Sequence, residues 1–442
     1  MSDAPGLLAR WFRLRDRKTT LRTEVLAGAT TFAAMAYIIV ANPAILEHAG
    51  IPRGPSTVAT VLTCVFGCLL MGLYANLPVA VAPYMGENAF IAFALVGIGW
   101  EKRLGSVFVA GAIFLVLTLL GLRTWLARAI TPSMKHSFAA GIGLFLLFLG
   151  LWQTEIIVGS QPMPLKIGDL GETKVLLAIG GFVFMMALLY WRVPAAILLG
   201  MVLTGTLGFA LGEGAVPERI AAAPWSDEYD LGRIAGHLDI AGVLDINFLP
   251  ILLTLVLISF LDTLGTLLAV AAEGKLLDED GNLPDMHQPM LVDSLSCVFG
   301  AVVGTSTSGA YIESATGIRE GGRTGLTALT TAGLFLLALF FIPLFQPLQE
   351  MRYAYGPALI VVGFLMTAAF RKIDFDDVSE AVPAVATVAL MVFTVNIANG
   401  LTAGMALHPI LKVLTGRWRD VHLGGAILGV ACLGYFAFGL PH

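Results

Sequence analysis

The chain predicts an all-α polytopic membrane protein, with fourteen transmembrane segments in two inverted halves of seven and short extended stretches breaking the third and tenth. Three observations carry that expectation. The 442 residues are 57% hydrophobic and 13% charged, whereas a soluble domain carries about 25% charged residues. Apolar runs of the ~20 residues needed to cross a ~30 Å hydrocarbon core recur along the whole chain, with no polar segment long enough to form a separate soluble domain. Two carboxylates lie inside such runs, Asp262 in FLPILLTLVLISFLDTLGTLLAV and Glu313 in GAVVGTSTSGAYIESATG, at a depth where a charge costs about 3 kcal/mol even on lenient insertion scales.

Residues 1–24 are basic, with Arg10, Arg13, Arg15, Arg17, Lys18 and Arg22, and contain no cleavable apolar core. They read as a cytoplasmic N-terminus in a cell-membrane protein rather than a signal peptide. Spans follow near 25–47, 56–77, 79–99, 104–123, 134–153, 174–191 and 193–213. The hydrophilic stretch 214–247 is the expected extracytoplasmic connection. The second half then gives spans near 248–273, 288–303, 305–318, 324–346, 354–371, 382–413 and 421–440. With spans alternating, both termini are cytoplasmic, and Arg123, Arg128, Lys135, Arg192, Lys275, Arg319, Arg323, Arg371 and Lys372 share the N-terminal side. Lys102, Arg103, Arg417 and Arg419 fall opposite. Trp100, Trp152, Trp191 and Trp418 stand near span ends, as an interfacial belt requires.

Several classes drop out. The net charge of −5 is scattered over short loops, leaving no nucleic-acid footprint. Cys64, Cys68, Cys297 and Cys432 fall inside spans and are expected to pack as small apolar residues. The seven histidines, with His408 alone in an apolar stretch and His442 at the end, show no metal spacing. The turn DEDGNLPD lacks a full calcium-loop pattern, and no Walker motif is present. No cofactor, metal or catalytic residue is expected, and the chain does not read as an enzyme.

An odd number of spans per half gives the halves opposite orientation, and two interrupted segments then fall at matching places: VAVAPYMGENAFIAF and VVGTSTSGAYIESATG. Paired broken segments in inverted halves point to a binding site at mid-membrane. Pro83, Gly86, Gly304 and Gly309 weaken continuous helix there. The backbone they free is tolerated at that depth only where it lines a cavity or is buried in protein. Ionised, Asp262 and Glu313 offer acceptors and no donors, which suits a flat ligand with adjacent N–H groups, and either acid is placed to gain and lose a proton. Asn88 is expected either to bond the ligand or to bridge the broken segments. Glu87 is read as facing a vestibule, pairing with a base, or adding a third acid. Asp293 and Ser294 read as the N-cap of the ninth span.

The strings TTFAAMAYIIVANPAIL, APYMGENAFIAF, FLDTLGTLL, LPDMHQPMLVDSL and GTSTSGAYIESATGIREGGRTGLTAL resemble the nucleobase–ascorbate (uracil/xanthine) permease family, in its AzgA-like branch of adenine, guanine and hypoxanthine permeases. The resemblance implies a core domain and a gate domain, dimerisation through the gate, and proton symport of a purine base into the cell. It marks Asp262 and Glu313 as substrate-binding acids, with Tyr84, Met85, Gly86, Ala310 and Ile312 completing the site. Thr266 stands where uracil-permease relatives have a histidine, so proton handling would fall to Asp262, Glu313 or Glu87. Tyr84 and Glu87 depart from the branch's usual APGMGLNA, where a glycine and an apolar residue stand. Tyr84 is therefore expected to stack on the ligand or narrow its pocket. Another nucleobase or heterocycle, or an anion carried on the same fold, is the alternative reading.

Overall fold

The structure is a computed structural model describing residues 7–122, 129–162, 164–214, 216–217, 219–245, 248–277 and 283–438. Arg123, Arg128, His442 and residues 278–282 of the DEDGNLPD turn lie outside the described residues. After α1 (Leu7–Trp11), the first span runs as α2 (Leu21–Met35) and α3 (Ile38–Leu46), separated at Ala36–Tyr37. Pro43 inside α3 leaves the Ile39 carbonyl without its usual helical donor. The side chain of Gln349 supplies that bond, Nε2 donating at 2.8 Å.

Then come α4 (Arg53–Leu73), β1 (Val81–Pro83) and α5 (Met85–Ala89), which passes into a π-helical turn at Phe90–Ala94. They are followed by α6 (Trp100–Leu119), α7 (Pro132–Gln153), the hairpin β2 (Ile157–Gly159) and β3 (Leu165–Ile167), α8 (Thr173–Tyr190) and α9 (Ala196–Ala210). The second half holds α10 (Leu249–Glu273), α11 (His287–Val303), β4 (Ser308–Ala310), α12 (Ser314–Arg319), α13 (Gly325–Ala338), α14 (Ile342–Glu350), α15 (Arg352–Met366), α16 (Val378–Phe393), α17 (Ile397–Leu414) and α18 (Leu423–Phe438). Among the described residues, nine helical stretches are long and apolar enough to cross a membrane, and three shorter apolar helices accompany them.

The helices sort into two packing groups. In one, α13 lies on α4 and α2, and α11 lies on α6 and α4; in the other, α15 packs on α7 and α8, and α16 on α17 and α7. Small residues make the crossings close, as between helices that gain little from apolar burial in lipid. A Cβ on Gly325 would strike the backbone of Gly72, and one on Gly363 would strike the backbone of Gly143. The 214–247 connection is no free loop. Ile234 is fully buried, and backbone bonds from Gly236 N–H to Val302 O (2.8 Å) and from Asp239 N–H to Glu101 O (3.1 Å) tie the connection to the helix ends.

One expected boundary changes. The stretch 382–413, read as a single span, is two helices with a break at Thr394–Asn396, where Asn396 caps α17 through its side chain. Hydrophobicity continues through the break, so composition conceals it. At the far ends of this hairpin, Glu380 Oε2 accepts from Thr131 Oγ1 (2.8 Å), while its Oε1 meets His408 Nε2 (3.1 Å) and Lys412 Nζ (2.9 Å). Asp377 pairs with Lys412 and Arg417. Arg417 is thereby drawn to the face that holds the start of α7 and of α16, beside Arg371 and Lys372, and it no longer opposes the charge bias. Arg103 leaves the opposing set as well, since it is buried and bonded to backbone.

Single cysteines placed at 371 and 417 should be labelled by an impermeant thiol reagent from the same side of the membrane. Labelling from opposite sides would restore a single span over 382–413.

Candidate substrate site between two broken helices

β1 and β4 meet antiparallel, with Val81 opposite Ala310, Ala82 opposite Gly309 and Pro83 opposite Ser308. The ladder runs one residue further at each end, from Tyr84 N–H to Thr307 O (3.0 Å) and from Tyr311 N–H to Ala80 O (2.9 Å). Each strand then turns into a short helix, α5 or α12. The two broken segments, far apart in sequence, are thus one unit at the centre of the first packing group.

Alternate residues of a strand turn their backbone groups away from the partner strand, and in lipid those groups need other partners. Cysteines supply them. The Cys68 thiol, on α4, accepts from Val81 N–H (3.2 Å) and donates to Val81 O (3.5 Å); the Cys297 thiol, on α11, does the same for Ser308 at 3.4 and 2.9 Å. The outward Ala310 N–H goes to Asp293 Oδ2 at 3.0 Å. Asp293 is the seventh residue of a helix that starts at His287, so it is not the expected N-cap. It is a fully buried acid against the ladder. Like Asp262, it is an isolated carboxylate within an apolar stretch, PMLVDSLSCVFG.

Tyr84 is 5% exposed, and its ring lies over Gly309, where any Cβ would collide with it. Its hydroxyl contacts Thr263 Oγ1 (3.0 Å) and donates to Asp293 Oδ2 (3.4 Å). Glu87 is fully buried, with Oε2 accepting from Ser259 Oγ at 2.8 Å. Asn88 accepts from Ser306 Oγ and so bridges the two broken segments, while its Nδ2 has no hydrogen-bond partner. Gly86 lies where a Cβ would meet Ile142 of α7, so the second packing group reaches the first turn of α5 here. Met85 is buried beside it.

Asp262 and Glu313 are placed differently from these. Both are half-buried, on a strip where Thr266 and Thr316 are half-buried as well and Gly265, Ala269 and Ile312 are exposed. The strip leads toward the end where Glu273 and Arg319 pair at 3.8 Å. A face carrying carboxylates, threonines and an ion pair suits water rather than acyl chains. Glu313 Oε1 accepts from Tyr37 Oη at 2.7 Å, while its Oε2 is buried with no partner among the described residues. At the opposite end the packing groups close on each other, with Gln153 Nε2 and His48 Nε2 at 3.2 Å and the His48 ring 5.0 Å from that of Phe93.

Arginines complete the half-helices. Arg103 donates to the carbonyls of Ile91 (2.8 Å), Ala92 (3.1 Å) and Ile98 (2.8 Å), and Arg323 donates to those of Ile318 and Gly322 (both 2.6 Å). Each guanidinium thus lies at the carbonyl end of a half-helix, where a cation is favoured.

A multi-pass helical protein whose two broken helices cross at its centre, with acids opening on one side, is a membrane transporter rather than an enzyme. The family model described as Permease family (Xan_ur_permease) matches residues 22–402, and the chain belongs to the nucleobase–ascorbate permease family. It is 40% identical over 426 residues to the adenine permease AdeQ of Escherichia coli K12, covering 96% of this chain and 94% of that protein. It is 39% identical over 440 residues to the guanine/hypoxanthine permease PbuG of Bacillus subtilis 168, covering 97% and 99%. In fold it is similar to the transmembrane domain of the cyanobacterial bicarbonate transporter BicA, with TM-score 0.56 and 18% identity over 87% of this chain and 97% of that one. The SLC26A9 structure gives TM-score 0.60 and 12% identity over 93% and 67%.

Tyr84→Phe should destabilise the purified protein by about 1–3 kcal/mol, the cost of leaving a buried acceptor short of a donor. Tyr84→Gly should cost more, because the ring's packing over Gly309 is lost as well. Unchanged melting in both variants would mean that the ring carries no structural weight.

Proposed function

We propose that this chain is a proton-coupled symporter that imports purine nucleobases such as adenine, guanine or hypoxanthine across the cell membrane. The observation that supports the reading is that Asp262 on α10 and Glu313 just before α12 are half-buried carboxylates beside the crossed broken helices, with Glu313 Oε2 left without a donor. A purine edge offers adjacent N–H donors to such an acceptor. The relatives named as adenine and guanine/hypoxanthine permeases support the substrate class.

The first packing group, α2–α6 with α10–α14, acts as the core domain, and α7–α9 with α15–α17 acts as the gate. The matching contacts of α4 with α13 and of α11 with α6, and of α7 with α16 and of α15 with α8, support two inverted repeats. These repeats fall within 25–213 and 248–442, joined by the extracytoplasmic 214–247. The N-terminus lies in the cytoplasm, and a homodimer would form through the gate. Ligand contacts come from Asp262, Glu313 and Thr266, from Ile312 on the open strip, and from backbone at Tyr84–Gly86 and Ala310. A proton taken up by Asp262 or Glu313, or by Glu87 behind them, neutralises the site for the return movement of the core.

Purified protein should be stabilised against heat by at least one of adenine, guanine and hypoxanthine through mass action. Glu313→Gln should abolish both that shift and uptake into proteoliposomes while the protein remains folded. Asp262→Asn should lose either binding or the dependence of uptake on a pH gradient. A folded wild-type chain that transports bicarbonate or another anion and ignores all three bases would give the site to the alternative substrate class.

A further inference from the structure

Tyr37 stands in TTFAAMAYIIVANPAIL, a string for which neither the sequence nor the proposed transport cycle has supplied a role. It occupies the break between α2 and α3 and is fully buried, though it carries a hydroxyl. That hydroxyl donates to Glu313 Oε1 at 2.7 Å, a well-formed O–H···O bond. It also lies 3.4 Å from the hydroxyl of Tyr311, the residue that closes the ladder on that side. Glu313 has two oxygens. Tyr37 takes one, and the other has no partner.

We propose that Tyr37 is a positioning residue for substrate: its hydroxyl fixes the Glu313 carboxylate so that the free Oε2 faces the ligand in a single orientation. Glu313 is the residue just before α12 and makes no side-chain bond to the helix it precedes. Without Tyr37 the carboxylate could rotate about its side-chain torsions, and a ligand would have to order it on binding. With Tyr37, that ordering cost is met when the protein folds. Tyr311 acts on Tyr37 rather than on the carboxylate, since the hydroxyl contact of Tyr311 is to Tyr37.

The role rests on the purine-transport reading, and the test separates the two. Tyr37→Phe keeps the buried ring and removes only the oxygen. In proteoliposomes it should raise the KM for the purine that stabilises the wild-type chain about tenfold or more, with Vmax within about twofold, while the ligand-free protein melts somewhat lower but stays folded, since Glu313 Oε1 loses its donor. Tyr311→Phe should raise KM in the same direction by a smaller factor. A folded Tyr37→Phe protein with wild-type KM would overturn the proposal and leave the purine reading standing. A Tyr37→Phe chain that no longer accumulates folded would overturn it too, by making the hydroxyl a folding determinant. A wild-type chain that takes up no purine would remove both.

Discussion

A ladder three residues wide holds this molecule together where a membrane protein has least backbone to spare. Breaking a helix at mid-membrane strands its N–H and C=O groups, each of which costs several kcal/mol in hydrocarbon. Pairing two breaks lets each satisfy the other along one edge, as Ala82 does with Gly309 and as the bonds 84–307 and 80–311 do at the ends. The remaining edges fall to α4 and α11. Cys68 and Cys297 are small enough to lie flat against a strand, and each thiol both donates and accepts. A serine is shorter, and a larger side chain would push the strand away.

That constraint explains the neighbours. Gly309 leaves room for the Tyr84 ring, and Gly67 leaves room for the Val81 side chain against α4. With the strands fixed, α5 and α12 leave the crossing as two short helices whose N–H ends lie near the ladder and whose carbonyl ends meet Arg103 and Arg323. Both arginines sit at the start of the span that follows a break, so each half-helix is tied to the next helix of its own half. The first turns of α5 and α12, which carry Gly86, Glu87 and Asn88 or follow Glu313, are thereby held by both ends of the elements they belong to.

Much of this was legible in the residues. Hydrophobic runs set most spans, and the positions of Pro83, Gly304 and Gly309 placed both breaks where strands in fact begin or pair. Asp262 and Glu313 stood out because isolated carboxylates are costly in apolar sequence, and they occupy the half-exposed strip. The hidden parts share one feature: their roles depend on contacts across hundreds of residues that leave no local pattern. Nothing near Cys68 distinguishes a packing thiol from one bonded to a strand. Glu24, fully buried, accepts from the backbone of Arg323 and Thr324 and from Thr327 Oγ1 at 2.6 Å, yet in sequence it is one more charge beside a basic terminus. Asp293 was legible in principle, since a span beginning near 288 already puts it at the sixth position, inside the helix rather than at its cap. Tyr84 is the reverse case. Its departure from the usual motif was plain, and the ring is anchored in the protein through Asp293 and Thr263.

The two halves also differ for a reason that a single atom supplies. Cys64 precedes Cys68 by four residues, and Asp293 precedes Cys297 by four, so each lies one helical turn from its ladder thiol on the same face. Two residues beyond Val81 comes Pro83, and two beyond Ser308 comes Ala310. The outward edge at Ala310 carries an N–H that needs an acceptor, and Asp293 provides it; the outward edge at Pro83 has no N–H, and the matching position is a thiol. The acid is present where the donor is present. Asp293 is thus the acid that this donor accounts for, and the first half has the Cys64 thiol in its place. The proline at 83 releases one side from the need for an acid, leaving the ladder symmetric in its backbone and one-sided in its charge.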